Sequence, residues 1–495
     1  MDVQFIMQEG LKQRETFVQC YDGDDFEGSP LHDAVCANQL ETVQLLLDWG
    51  AKMDYIDPYT KGTPIHWAAR YGHLEILKLI YAKGGSMLIK DGTYYENTPI
   101  YIATLYGHKA IVKWLVSIGV SVDEVNKFGE TPLIMAVKGN KHSTQVIQTL
   151  IDLGANFNCV DNKDMTPLHI AVKFGTPDTL KLLLKNRAIT RVYCLRYGFT
   201  PLHWAVRFGM LKKLMVIHSY DSDLSYETKN ISGDDPVHLA AKFGHVEIMK
   251  WLFSHGCAYN ANKLGLTPLH SSVINQQPNI IEYLVSIGVN LQEPTMDTYR
   301  LTALHIAAYM GLDDIVTFLL NIGADVNAKS AGSLIPLHYA IKENRVKCVE
   351  ILLKFSATSI KPSVEDSCKA LLLASNIDAA DCMRWLIKNG ISANLQGNNY
   401  ETALHRSAMC GSTNTTKVLL ENGANVNART FELRTPLHVA VIYRRYNIVA
   451  LLLQFGADVN ATCNRGHTAS HYAFVDDLVR LLKLAESDLS AHSKK

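Results

Sequence analysis

The chain has 495 residues, 47% of them hydrophobic and 19% charged, with 48 Lys+Arg against 48 Asp+Glu. That composition excludes a wholly disordered chain, which would be poorer in apolar residues and far from charge balance. Zero formal net charge argues against a nucleic-acid binder, which carries a basic excess, and no apolar run approaches the roughly 18 residues of a membrane-spanning helix.

Residues 1–28 open with the amphipathic MDVQFIMQEGLKQRE and continue through the acidic YDGDDFEG. The basic-then-apolar order of a secretion signal is missing. Asp22, Asp24, Asp25 and Glu27 do not follow the spacing of a calcium loop. This stretch is expected to be an N-terminal cap. Ten cysteines are scattered with no CxxC pair, as in a reducing compartment.

From Ser29 onward one unit recurs. Thr-Pro-Leu-His or a close variant begins at residues 29, 63, 98, 131, 166, 200, 235, 267, 302, 335, 369, 402, 435 and 468. The Thr suits a helix N-cap and the Pro the first helical position, where its missing N–H costs nothing. Small pairs such as Ala68-Ala69 and Ala307-Ala308 let another helix approach closely, and a Gly, often Gly-His, then stops the helix. A second helix follows with an apolar triplet such as Leu451-Leu452-Leu453, ended by a Gly twenty-one residues after the marker, as at Gly84, Gly323 and Gly456. Repeat 4 carries two extra residues between Lys138 and Ser143. Repeats 5, 6 and 10 put Arg187, Asp221 and Ser356 where that second Gly belongs, and repeat 11 has lost the marker and is placed by register alone. Repeats 6 and 11 are the divergent ones.

This unit resembles the ankyrin repeat. Residues 302–334, TALHIAAYMGLDDIVTFLLNIGADVNAKSAGSL, are close to the family pattern, and the resemblance covers residues 29–485. It implies an all-α solenoid of stacked helix–loop–helix units with projecting β-hairpin-like loops, since a single helix pair cannot bury its own apolar face. Thirteen repeats are expected over 29–467, a truncated fourteenth over 468–485 as C-terminal cap, and a polar tail over 486–495. The role implied is a non-enzymatic scaffold that binds proteins through its concave groove and loop tips. An adaptor docking through its termini, such as a substrate receptor of a ubiquitin ligase, is the alternative. No cofactor, metal, small-molecule substrate, nucleic acid or membrane insertion is expected; the chain is expected to be a cytoplasmic monomer, with the nucleus open to it.

Eleven of the nineteen histidines occupy the fourth marker position, where the ring can hydrogen-bond the marker Thr and nearby backbone. Their one-per-repeat spacing is too wide for a shared metal. Cys463, His467 and His471 are spaced four apart but lack a fourth ligand. The groove candidates are the residues just before the mid-repeat Gly: Arg70, Tyr71, Tyr106, Lys173, Phe174, Arg207, Phe208, Lys242, Phe243 and Tyr309. Repeats 5, 6 and 7 would offer three consecutive basic–aromatic pairs to a partner with an acidic segment, through residue types that favour binding hot spots. The plainer alternative is that each cation only caps its helix. The loop-tip candidates are Tyr94, Tyr95, Phe128, Tyr197, Phe199 and Tyr299. The resemblance also marks Asn158, Asn327, Asn427 and Asn460 as positions at which ankyrin loops can be hydroxylated.

Overall fold

The computed structural model describes residues 29–93, 95–139, 143–194, 197–221, 228–358, 361–473, 479–480 and 482–483. The segment 1–28 expected to be an N-terminal cap, Tyr94 and the tail 486–495 lie outside the described residues. Among those described there are twenty-six α-helices, two 3-10 turns and no strand. The chain divides into two compact units, residues 1–240 with 247–257, and residues 241–246 with 258–495.

Within each unit the pattern is the same. A first helix of seven or eight residues starts at the marker, as in Pro64–Tyr71, Pro201–Arg207 and Ala303–Met310. A second helix of about nine follows, as in Leu74–Ala82 and Asp313–Asn321. From Pro30–Cys36 to Pro201–Arg207 in the first unit and from Pro268–Ile274 to Pro436–Ile442 in the second, each first helix packs on its own second helix, and neighbouring first helices pack on one another. Ala68, Ala69, Ala307 and Ala308 are fully buried in these layers, which the short side chains permit.

The marker histidine joins one layer to the next. His305 is typical. Its Nδ1 accepts from the Thr302 backbone N–H at 3.2 Å and meets the Thr302 hydroxyl at 2.8 Å, while its Nε2–H donates to the Leu334 carbonyl, 3.0 Å away in the following repeat. A backbone N–H can only donate, so the network itself assigns the Nε2–H tautomer. His66, His169, His405 and His438 reach the carbonyls of Asn97, Phe199, Arg434 and His467, each just before the next marker. In repeats 6 and 8, His203 and His270 bond the Thr228 and Glu293 carbonyls instead.

A second contact between layers explains the mid-repeat glycine. The first helix that ends at Tyr71 leaves its last carbonyls unpaired, and His108 of the next repeat donates to the Arg70 carbonyl at 2.8 Å. Arg345 and Arg445 do the same for Tyr309 and Met409. Gly72 sits at φ 85, and a Cβ there would stand 2.6 Å from the His108 ring. The position therefore needs both a left-handed turn and a bare Cα.

The hairpin tips of successive repeats are joined by single backbone bonds. Lys127 donates to Tyr95, Asn162 to Phe128, Ala331 to Tyr299 and Phe431 to Asn399. Inside several hairpins an Asp or Asn folds back on the turn; Asp161 accepts from the N–H groups of Lys163 and Met165 at 2.8 and 2.9 Å. Beyond the hairpins, loop amides tie repeats together. Asn394 donates to the Gly423 carbonyl at 3.0 Å and accepts from the Asn425 N–H at 2.7 Å.

The irregular repeats resolve differently. Arg187 takes the left-handed turn at φ 64 in place of glycine. Ser356 does not: its helix runs on over Val346–Thr358. The first helix of repeat 11 then begins at Val364, with its N-cap Ser363 six residues ahead of the marker register position at Lys369, and extends to Asn376. The second helix of repeat 10 and the first helix of repeat 11 are thus each thirteen residues long, and the stretch between them is too short for a hairpin. In repeat 14 the first helix is reduced to a 3-10 turn, Ala469–Tyr472.

Candidate functional site

The richest surface feature lies in the first unit, on the first helices of repeats 5 and 6 and the hairpin between them. Lys173 and Arg207 end their helices, and each side chain lies against three rings. The Lys173 Nζ is 4.8 Å from the Phe174 ring centre, 5.6 Å from Trp204 and 5.7 Å from Phe208. The Arg207 guanidinium carbon is 5.7 Å from both Tyr197 and Phe199 and 5.8 Å from Trp204. Trp204 stacks on Phe208 at 5.2 Å and meets Phe199 edge-on at 5.8 Å.

Trp204 is the keystone of this cluster. It is buried, with Phe199 beside it, and its indole Nε1 has no hydrogen-bond partner. Phe174 and Phe208 remain 46% and 38% exposed. The result is a buried aromatic floor, two cations fixed on it and two half-open rings. Charge and apolar area are offered together.

Repeat 2 repeats the theme more sparsely. Arg70 lies 5.3 Å from the Tyr106 ring centre and 5.8 Å from Tyr71, and both tyrosines are exposed. There Trp67 is satisfied, donating to the Thr60 hydroxyl at 3.0 Å.

Of the sequence candidates, the structure brings Lys173, Phe174, Arg207 and Phe208 into one cluster and adds Tyr197 and Phe199 from the loop-tip set. Two separate candidate surfaces are here one. Lys242 and Phe243 belong to the second unit, where Phe243 stacks on His245 at 6.5 Å. Tyr309 is exposed there and lends its carbonyl to Arg345. Tyr95 and Phe128 pair at 5.3 Å, and Tyr299 is 65% exposed. Trp204 was not among the candidates. Its signal was present: repeats 2 and 6 share His-Trp-Ala-x-Arg-aromatic, at Trp67/Arg70/Tyr71 and Trp204/Arg207/Phe208, a spacing that places all three side chains on one helix face.

The hydroxylation candidates occupy the loop-amide positions. Asn158 accepts from the Ile189 N–H at 2.9 Å and Asn427 from the Asp458 N–H at 2.8 Å. Asn327 is half-buried and Asn460 is exposed. Among the described residues no group of three His, Cys, Asp or Glu could hold a metal ion. His467 and His471 stack face to face at 5.2 Å. Cys463 takes the hairpin position that Asp161 fills elsewhere. Burial pushes its thiol up, but the Tyr472 hydroxyl, the N–H groups of Arg465 and His467 and the Arg434 guanidinium outweigh burial and hold it below the usual value.

The family profile described as "Ankyrin repeats (3 copies)" matches ten overlapping stretches that run from residue 31 to residue 492. The chain belongs to the ankyrin repeat family. Human transient receptor potential cation channel subfamily A member 1 is 26% identical over 461 residues, which is 84% of this chain and 41% of that protein. Human Rabankyrin-5 is 28% identical over 41% of this chain and 14% of its own length, and the Danio rerio protein called putative palmitoyltransferase ZDHHC13 is 31% identical over 31% and 24%. The chain spans less than half the length of each of these ankyrin relatives. Among solved structures, the human ASB11 ankyrin repeat domain is 25% identical, with a TM-score of 0.39, over 44% of this chain and 98% of that one.

Ankyrin repeats form a protein-interaction module. Among the described residues no helix is long and apolar enough to cross a membrane.

Proposed function

We propose that this chain is a binding scaffold whose principal docking surface is the Lys173–Trp204–Arg207 cluster, and that its partner is a protein segment in which carboxylates alternate with apolar side chains. One observation carries this reading: two cations are fixed on a buried aromatic floor between two half-exposed rings. A partner carboxylate meets a cation already immobilised, so less entropy is lost on binding. Apolar residues of the partner cover Phe174 and Phe208, excluding water from the contact.

The scaffold acts in a reducing compartment, a reading supported by nine described cysteines that are all free thiols. The test is affinity purification from native cells with the chain beside a variant carrying Lys173→Ala, Phe174→Ala, Arg207→Ala and Phe208→Ala. A partner lost from the variant, recovered by charge-conserving Lys173→Arg and Arg207→Lys, is the expected result. The same partners on both forms, with circular dichroism showing both folded, would overturn it.

A further inference from the structure

The plan of the Lys173 contact recurs three repeats earlier in the same unit. Lys173 lies between the ring of its own repeat, Phe174 at 4.8 Å, and that of the next, Phe208 at 5.7 Å. Arg70 lies in the same way between its own Tyr71 at 5.8 Å and Tyr106 of the next repeat at 5.3 Å. All four rings are exposed, by 38% to 46%. Each junction therefore presents one cation between two half-open rings.

Between the two junctions the same helix position carries no net charge. Repeat 3 puts Leu105 there, exposed and apolar. Repeat 4 puts Lys138 there, but its ammonium is paired with the buried Glu130 carboxylate, and Gly139 follows where repeats 2, 3, 5 and 6 have a ring. The first helices of repeats 2 to 6 pack on one another in order, so these positions form one row. Packed helices lie about 8–10 Å apart, which separates the junctions by roughly 25–30 Å. An extended segment advances about 3.3 Å per residue and covers that span in about eight or nine residues.

We propose that the two junctions read one partner segment together: an extended chain with two acidic residues about eight or nine positions apart, each flanked by apolar side chains, and uncharged residues between them. This inference rests on the Lys173–Arg207 reading and makes Arg70, Tyr71 and Tyr106 the second half of that site. Each carboxylate meets one cation, and its apolar neighbours cover the rings on either side. The middle of the segment passes Leu105 and the neutralised Lys138, where a further acid finds no open cation. Once one box is bound, the other is held near its junction, so the two together bind about 10²–10⁴ times more tightly than one, provided the linker spans the row.

Fluorescence anisotropy with the full chain and three fluorescein-labelled peptides tests the spacing. The long peptide is Leu-Glu-Leu-Ser-Gly-Ser-Gly-Ser-Gly-Leu-Glu-Leu. The short one keeps a single Ser-Gly between its boxes and cannot span the row, and the third carries one box alone. The long peptide is expected to half-saturate at a protein concentration at least about a hundredfold lower than either of the others. Combining Arg70→Glu with Tyr106→Ala should bring it down to the one-box affinity. A long peptide no tighter than the short or the one-box peptide, a result that needs no variant, would overturn the proposal, and so would an advantage that survives Arg70→Glu with Tyr106→Ala. Adding Lys173→Glu and Arg207→Glu to that variant should then remove one-box binding. If it persists, with circular dichroism showing the chain folded, the Lys173–Arg207 reading fails and this inference fails with it.

Discussion

Mild acid should loosen this array well above the range in which carboxylates titrate. Burial holds six marker histidines at about 4, against an ordinary 6.5: His32, His169 and His203 in the first unit, His270, His305 and His405 in the second. The geometry gives a second reason. Each Nδ1 accepts from a backbone N–H, at 3.2 Å in His169 and His305 and 3.1 Å in His203, so a proton placed there would confront a donor. Because the folded-state value is the lower one, the unfolded chain takes up protons first. The stability these residues contribute is complete above about pH 6.5 and is lost as pH falls toward 4.

Within that window each histidine removes about 1.4 kcal/mol per pH unit. Going from about pH 7.5 to about pH 5.5 crosses only the upper part, which costs about 1.3 kcal/mol per histidine and about 4 kcal/mol for the three in each unit. That is a large share of a typical domain stability of about 5–15 kcal/mol. Aspartate and glutamate in the unfolded chain titrate near 3.9 and about 4.3, below this interval, so the change isolates the histidines. Urea unfolding followed by circular dichroism at several pH values measures the total. Hydrogen exchange resolved by repeat measures the local share, and His405→Gln should flatten the pH dependence across Ala403–Cys410. An unfolding free energy that stays level between those two pH values would refute the reasoning, because it would mean that the buried rings gain protons as readily as exposed ones.

Four further outcomes follow from single contacts. Gly72→Ala and Gly84→Ala both force a left-handed alanine, at φ 85 and φ 90, costing about 1–2 kcal/mol; Gly72→Ala should cost about 1 kcal/mol more, since only its Cβ would displace His108 from the Arg70 carbonyl, and equal thermal shifts would count against that contact. Cys463→Asp should leave stability nearly unchanged, because a carboxylate already fills this turn position at Asp161, whereas Cys463→Ala should lose about 1 kcal/mol in a denaturant titration. Asn427→Leu should lose about 1–2 kcal/mol, visible as faster hydrogen exchange at Asp458, its partner at 2.8 Å. Arg207→Glu should weaken an acidic partner at least about tenfold and Arg207→Lys far less, as measured by isothermal titration; equal losses would point to packing rather than charge.

Much of this architecture was legible because its rules are local. The Thr-Pro start, the small pair and the glycine stop act within one helix, so the period in the sequence delivers the repeats and their helices. What was not legible acts between layers. The marker histidine was expected to bond its own threonine and does, but its second bond, as from His305 to Leu334, spans 29 residues of sequence and one layer of space. Trp204 escaped for the same reason: it becomes the floor of a site only when Lys173 of the preceding repeat folds over it. The Gly72–His108 contact was equally hidden, since the glycine reads as a helix stop until the next repeat's ring is set against it.

The two sites that replace the second glycine make the limit concrete. Arg187 and Ser356 look alike in the sequence, each a helix-tolerant residue where the turn should be. Arg187 nevertheless turns, at φ 64, with Ala188 buried and Ile189 bonded to the Asn158 amide of the loop behind it. Ser356 stays helical, its hydroxyl bonded back to the Leu352 carbonyl at 2.6 Å, and the stretch to the next N-cap at Ser363 is too short for a hairpin. A left-handed non-glycine residue costs about 1–2 kcal/mol, which an anchored loop can offset and an unanchored one cannot. The deciding quantity is therefore the bonding offered by the neighbouring repeat.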